Sequence, residues 1–130
     1  MSVYLSKGKF GTAINCMDGR VQLVLCQWMK EKYGLDYVDT ITEPGVDRIL
    51  SEGSAAERAA IEKKARISVE VHGSKIIAIV GHHDCAGNPV CKEDHCGQVK
   101  EAVRVVKSWK LPAEVVGVWI GEDWSVTIAV

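Results

Sequence analysis

Apolar residues along the chain change period several times, and each change marks an element. Gly11 to Cys16 is a short apolar run that reads as a buried strand. From Arg20 to Tyr33 the apolar residues Val21, Val24, Leu25, Trp28 and Met29 recur at helical spacing, and Gly34 is placed to end that helix. Tyr37 to Thr42 reads as a second strand, stopped by Glu43-Pro44-Gly45, and Val46 to Leu50 as a short helical turn. Ser54-Ala55-Ala56-Glu57 has the form of a capping box, so a helix runs on to about His72, with Ala56, Ala60, Ile67 and Val71 among its inward candidates. Lys75 to Gly81 is the most apolar strand and is expected at the sheet centre. A helix over Asp94 to Trp109 carries Val99, Ala102, Val103 and Val106 on one stripe. Val115 to Ile120 is a fourth strand, and Trp124 to Val130 alternates like an edge strand after a turn at Glu122-Asp123.

Strands separated by helices predict an α/β fold, a mostly parallel central sheet flanked by helices. Right-handed crossovers place every loop that follows a parallel strand on one edge of that sheet. An order 2-1-3-4, with the last strand antiparallel at the edge, makes the first and third strands neighbours. Their loops then meet at the switch point, where ligands bind in such sheets. A chain of 130 residues fits a single domain spanning 1–130.

Composition narrows the function without naming it. Net charge is −1, so no basic field argues for nucleic acid or an anionic membrane. No apolar run is long enough to span a bilayer. The N-terminal segment Met1 to Lys7 has no signal-peptide core, so a cytoplasmic location is expected. Five cysteines, an odd number without a secretory signal, favour metal ligation or free thiols over a disulfide framework.

The chemistry lies at two strand ends. Cys16 closes the first strand, and His82 and Cys85 follow the third. Two thiols and one imidazole make a three-ligand site for one zinc per chain, with a fourth position for water or for Asp18. Cys91, His95 and Cys96 form a second cluster. It offers another metal site, a competitor for the first, or a connecting loop in which Asp94 caps the next helix and Cys96 packs beneath it. His72 is expected at the negative end of its helix.

Two motifs, Cys16-Met17-Asp18-Gly19-Arg20 and Gly81-His82-His83-Asp84-Cys85-Ala86-Gly87, together resemble the β-class carbonic anhydrases, closest to the compact microbial members. That family carries Cys-x-Asp-x-Arg after its first strand and His-x-x-Cys after its third. The resemblance implies a zinc enzyme that interconverts carbon dioxide and bicarbonate, usually as a dimer or larger homo-oligomer. It implies that Asp18 and Arg20 are catalytic, the clamped carboxylate orienting a zinc-held hydroxide. It also implies that Asp18 can leave Arg20 and take the fourth zinc position. Gly81, His83 and Glu43 are the candidate substrate-contacting residues. His83 reads first as a loop residue and otherwise as a proton shuttle, and Asp84 reads as a brace for its loop or as a residue acting on substrate. Gly19 is expected to permit the turn that joins Asp18 to Arg20.

The chain departs from the family pattern in three places. Gly19 replaces the usual Ser or Ala, Thr42-Glu43-Pro44-Gly45 replaces an Asn-Ala-Gly-type stretch, and the N-terminal helical arm of larger members is not expected here. Apolar residues such as Trp119 and Val130 are expected to supply dimer surface. Two further readings stand beside the first: a hydrolase of carbon disulfide or carbonyl sulfide on the same fold, and a non-catalytic zinc-binding or redox-sensing module.

Overall fold

A computed structural model describes residues 7–130, so the N-terminal segment read for targeting lies largely outside the described residues. Five strands and four helices follow one another among the described residues: β1 (Phe10–Asn15), α1 (Gly19–Tyr33), β2 (Tyr37–Thr42), α2 (Val46–Glu52), α3 (Ala55–Glu70), β3 (Ile76–His82), α4 (Lys92–Ser108), β4 (Glu114–Ile120) and β5 (Val126–Ile128). They form one sheet in the order β2-β1-β3-β4-β5. The first four strands are parallel and β5 is antiparallel to β4, which is the predicted architecture. No helix among the described residues is long and apolar enough to cross a membrane.

Both faces of the sheet are covered, as a parallel sheet requires. Ile77 and Ile79 of β3 pack with Ile14, Ile61, Val99 and Val103 on the side of α2, α3 and α4. Ala78 and Val80 point the other way, into a core with Val21, Leu25 and Met29 of α1. Every residue of β3 is buried, in keeping with its central place. Local signals fix the helix ends. Gly34 closes α1 with φ 65°, and Ser54 and Glu57 exchange both bonds of the capping box at the start of α3.

Five details refine or correct the sequence reading. The buried stripe of α3 is Ile61, Ala65, Ser68 and Val69, while Ile67 and Val71 are exposed. The helix is alanine-rich, so its phase is set by polar contacts: Ser68 Oγ donates to Asp39 and lies 2.6 Å from the Thr12 hydroxyl. Helix α4 starts two residues earlier than expected, at Lys92, so Asp94 sits in the first turn, where the dipole favours acids, and does not cap. His72 lies just past α3, with Nδ1 2.6 Å from Asp39 Oδ2. The last strand is short because Ala129 and Val130 both oppose Gly117, the two-against-one pairing of a β-bulge. Trp119 is buried within the chain, so it offers no dimer surface, whereas Val130 remains exposed.

Candidate metal centre

Strands β1 and β3 are adjacent and parallel, so their C-terminal ends lie side by side. Cys16 directly follows β1, His82 is the last residue of β3, and Cys85 sits three residues on. The topology brings all three together: one candidate ligand atom from each lies within 4.8 Å of the others. The three residues are buried. Among the described residues this is the one such group of three or more. Cys91, His95 and Cys96 therefore form no second centre of this kind. Cys91 is exposed at the start of α4, and His95 is turned inward.

The donor set fits zinc. Cys16 Sγ and Cys85 Sγ are 3.9 Å apart. Tetrahedral zinc with Zn–S bonds of about 2.3 Å separates two sulfurs by about 3.8 Å. His82 Nδ1 donates to the His83 carbonyl at 2.8 Å, which leaves Nε2 as the bare nitrogen. That Nε2 is buried with no hydrogen-bond partner. A buried acceptor left unpaired is costly, and a metal ion relieves that cost. Burial and the neighbouring Cys16 push the Cys85 thiol up to about 11, against the pull of the Asn88 and Gly87 backbone N–H groups. A cation at this point is what would stabilise two thiolates so close together.

Asp18 follows Cys16 by two residues and serves two local purposes. Its Oδ1 accepts from the Arg20 backbone N–H at 2.9 Å, capping α1. Both carboxylate oxygens also accept from the Arg20 guanidinium, at 2.7 Å for Nη2 to Oδ2 and 3.1 Å for Nε to Oδ1. The side-chain bond from Arg20 is the main reason that Asp18 is held down to about 2. Arg20 is held in turn: Nη1 donates to Asp84 Oδ2 at 3.1 Å, Nη2 to the Asp84 carbonyl at 2.9 Å, and the guanidinium lies 4.8 Å from the Trp124 ring centre. Asp84 adopts φ 57° to reach it. Gly19 is not the source of this turn. It is not among the residues of positive φ, and an added Cβ there meets nothing within 4 Å.

The other candidates are spread around this centre. His83 is half-buried, edge-on to Trp124, and lines a cleft of about 430 Å³ with Asp84, Cys85, Cys91, Lys92 and Trp119. Glu43 Oε1 lies 4.0 Å from Lys64 Nζ of α3. Gly81 faces α2 and α4, where an added Cβ would stand 3.0 Å from Asp47 Oδ2. Sequence reasoning missed Asp47, Asn88 and Gln98 on that side, and it grouped His95 with Cys91 and Cys96 instead. Asp47 and His95 are buried with Oδ2 and Nδ1 2.6 Å apart, and Asn88 and Gln98 join them. Nothing local advertises this: Asp47-Arg48 at the start of a short helix reads as a solvated charge pair.

Residues 6–130 match the family described as putative carbonic anhydrase. Solved structures share the fold. A β-carbonic anhydrase isoform from Trichomonas vaginalis is 18% identical, with TM-score 0.63, covering 100% of this chain and 88% of its own. A carbonic anhydrase from Glaciozyma antarctica is also 18% identical, with TM-score 0.59 and coverage of 92% and 81%. The apo form of a carbon disulfide hydrolase is 13% identical, with TM-score 0.52 and coverage of 95% and 79%. No curated protein matches the chain. A family match over nearly the whole length makes the chain a member of the putative carbonic anhydrase family, with the fold of the β-carbonic anhydrases.

Proposed function

We propose that this protein is a zinc-dependent lyase that interconverts carbon dioxide and bicarbonate. The observation that carries the reading is the buried Cys16–His82–Cys85 cluster, with an unpaired imidazole nitrogen, two residues from an ionised Asp18 clamped by Arg20. Cys16, His82 and Cys85 would hold zinc, which when bound supplies a Lewis acid able to make water nucleophilic near neutral pH. Asp18 then acts through its acceptor-only carboxylate, orienting an O–H donor beside the three ligands. Arg20 keeps that carboxylate ionised and fixes its direction. His83 lines the cleft that a small linear substrate would enter, Gly81 supports the end of β3 from beneath, and Glu43 lies on the loop after β2.

The likeness to a carbon disulfide hydrolase supports a second reading, the same centre acting on carbon disulfide or carbonyl sulfide. A homodimer or larger homo-oligomer belongs to the proposal. Met17 and Leu23, 63% and 68% exposed beside the Cys16 loop, give a second copy apolar surface to cover. So does a cytoplasmic setting, which keeps thiol ligands reduced; none of the five cysteines is in a disulfide.

The test is stopped-flow hydration of carbon dioxide by the zinc-loaded protein, alongside release of sulfide from carbon disulfide. Asp18→Asn is expected to keep one zinc per chain and lose about 100-fold in hydration rate, the scale of a misplaced proton acceptor. Full turnover by that variant removes Asp18 from the chemistry. A zinc-loaded wild type that releases sulfide but does not hydrate carbon dioxide transfers the assignment to the second reading.

A further inference from the structure

Cys85 sits on a loop that carries no regular structure between β3 and α4. Its carbonyl accepts from the Asn88 backbone N–H at 3.3 Å. A thiolate ligand keeps its direction only if the loop that carries it is held, so whatever fixes residues 87 and 88 tunes the ligand.

Both residues are fixed from outside the loop. The Asn88 side chain is 1% exposed. Its amide nitrogen donates to Asp47 Oδ1 at 3.1 Å and to Gln98 Oε1 at 2.6 Å. Those two bonds use both of its hydrogens, which sets the orientation of the amide. Asp47 is itself held: Oδ2 accepts from His95 Nδ1 at 2.6 Å, and Oδ1 from the Arg48 backbone N–H at 3.0 Å. Gly87 is fixed by contact of backbone with backbone. A Cβ on Gly87 would stand 2.6 Å from the Pro44 carbonyl carbon, and one on Gly45 would stand 2.6 Å from the Gly87 oxygen. One short segment, Pro44 to Asp47, thus braces both residues. The same Asp47 lies against Gly81, the residue before His82.

We infer that Asp47, His95 and Gln98, acting through Asn88, form a clamp that fixes the loop carrying Cys85, and with it the position of the Cys85 sulfur, and so sets the metal affinity of the centre. These are positioning residues. None is among the three candidate ligands. The inference rests on the reading that Cys16, His82 and Cys85 bind zinc. It gives the Glu43-Pro44-Gly45 departure a purpose, as the start of the strut that holds the second thiol loop.

The experiment is zinc competition against a chromophoric chelator, with the cobalt-substituted protein read in parallel for its thiolate-to-metal absorption. Asn88→Ala is expected to bind zinc about 10- to 100-fold more weakly, the range for lost outer-shell partners, and to shift that absorption. Gln98→Ala removes one acceptor at the edge of the network, so it should fold normally and weaken zinc several-fold in the same direction. If Asn88→Ala does not fold, Gln98→Ala decides. Folded variants that bind zinc as tightly as wild type, with unchanged cobalt absorption, overturn the clamp and leave the metal centre standing. A wild type that takes up no zinc overturns the metal centre, and the clamp falls with it.

Discussion

The loop after β1 and the loop after β3 end in the same cluster but are braced differently. Around Cys16 the braces are short-range. Gln22 Nε2 donates to the Cys16 and Asp18 carbonyls, both at 2.8 Å, and Asn15 donates to Gln22 at 2.9 Å. Asp18 caps the helix that it precedes. Around Cys85 the brace is remote: Asn88 meets Asp47 from 41 residues away, and Asp47 meets His95 from 48 away. The first set can form as soon as the chain turns into α1. The second exists only after α2, β3 and α4 have assembled. One ligand is therefore held by local sequence and the other by the whole fold.

The largest effect expected from this contrast is on stability. Asp47→Ala removes one side of a buried carboxylate–imidazole pair and strands His95 and Asn88, which should cost about 3 kcal/mol. Gln22→Ala removes half-buried bonds, and the Cys16 carbonyl keeps a second donor in Asn15, so it should cost about 1 kcal/mol. Urea unfolding of the metal-free protein at neutral pH measures both. Equal losses would mean that the two loops are coupled to the fold alike.

Legibility follows the same division. The strands, their order and most helix boundaries are written locally, in periodicity and caps, and so is the step from Cys16 to Asp18 and Arg20. That Cys16, His82 and Cys85 would cluster was legible because strand ends are predictable and parallel topology decides which ends meet. The inward face of α3 was not, because Ala56, Ala60 and Ala65 carry too little contrast, and Ser68 faces inward through its bonds with Asp39 and Thr12. The clamp was not legible either. Asp47, Asn88, His95 and Gln98 are ordinary polar residues one at a time, and only tertiary packing makes them one network.

The glycines sharpen the contrast at a smaller scale. Gly45 has φ 62° and its missing Cβ makes room for the Gly87 backbone. Gly45→Ala should cost about 2 kcal/mol, from left-handed strain together with a collision that no side-chain rotation relieves. Gly19 occupies open space in the first turn of α1. Gly19→Ala should be neutral or stabilise by up to about 0.5 kcal/mol, since alanine is the better helix former. Paired thermal melts measure the difference. A destabilised Gly19→Ala would show that the first loop is strained as well.

The smallest expected effect is a pH dependence in the first loop. Arg20 holds Asp18 down to about 2, below its ordinary 3.8. A lowered carboxylate stabilises the fold above its unfolded-state value, and that stabilisation is lost as pH falls through the folded-state value. The stability difference between wild type and Asp18→Asn should therefore stay constant from about pH 8 to about pH 5 and shrink as pH falls from about 4 to about 2. The Arg20 guanidinium is half-exposed, so salt should reduce the difference at neutral pH. Denaturant midpoints across that range give the curve. A difference that changes near neutrality would mean that Asp18 takes up its proton far above 2, and that Arg20 does not hold it as these distances require.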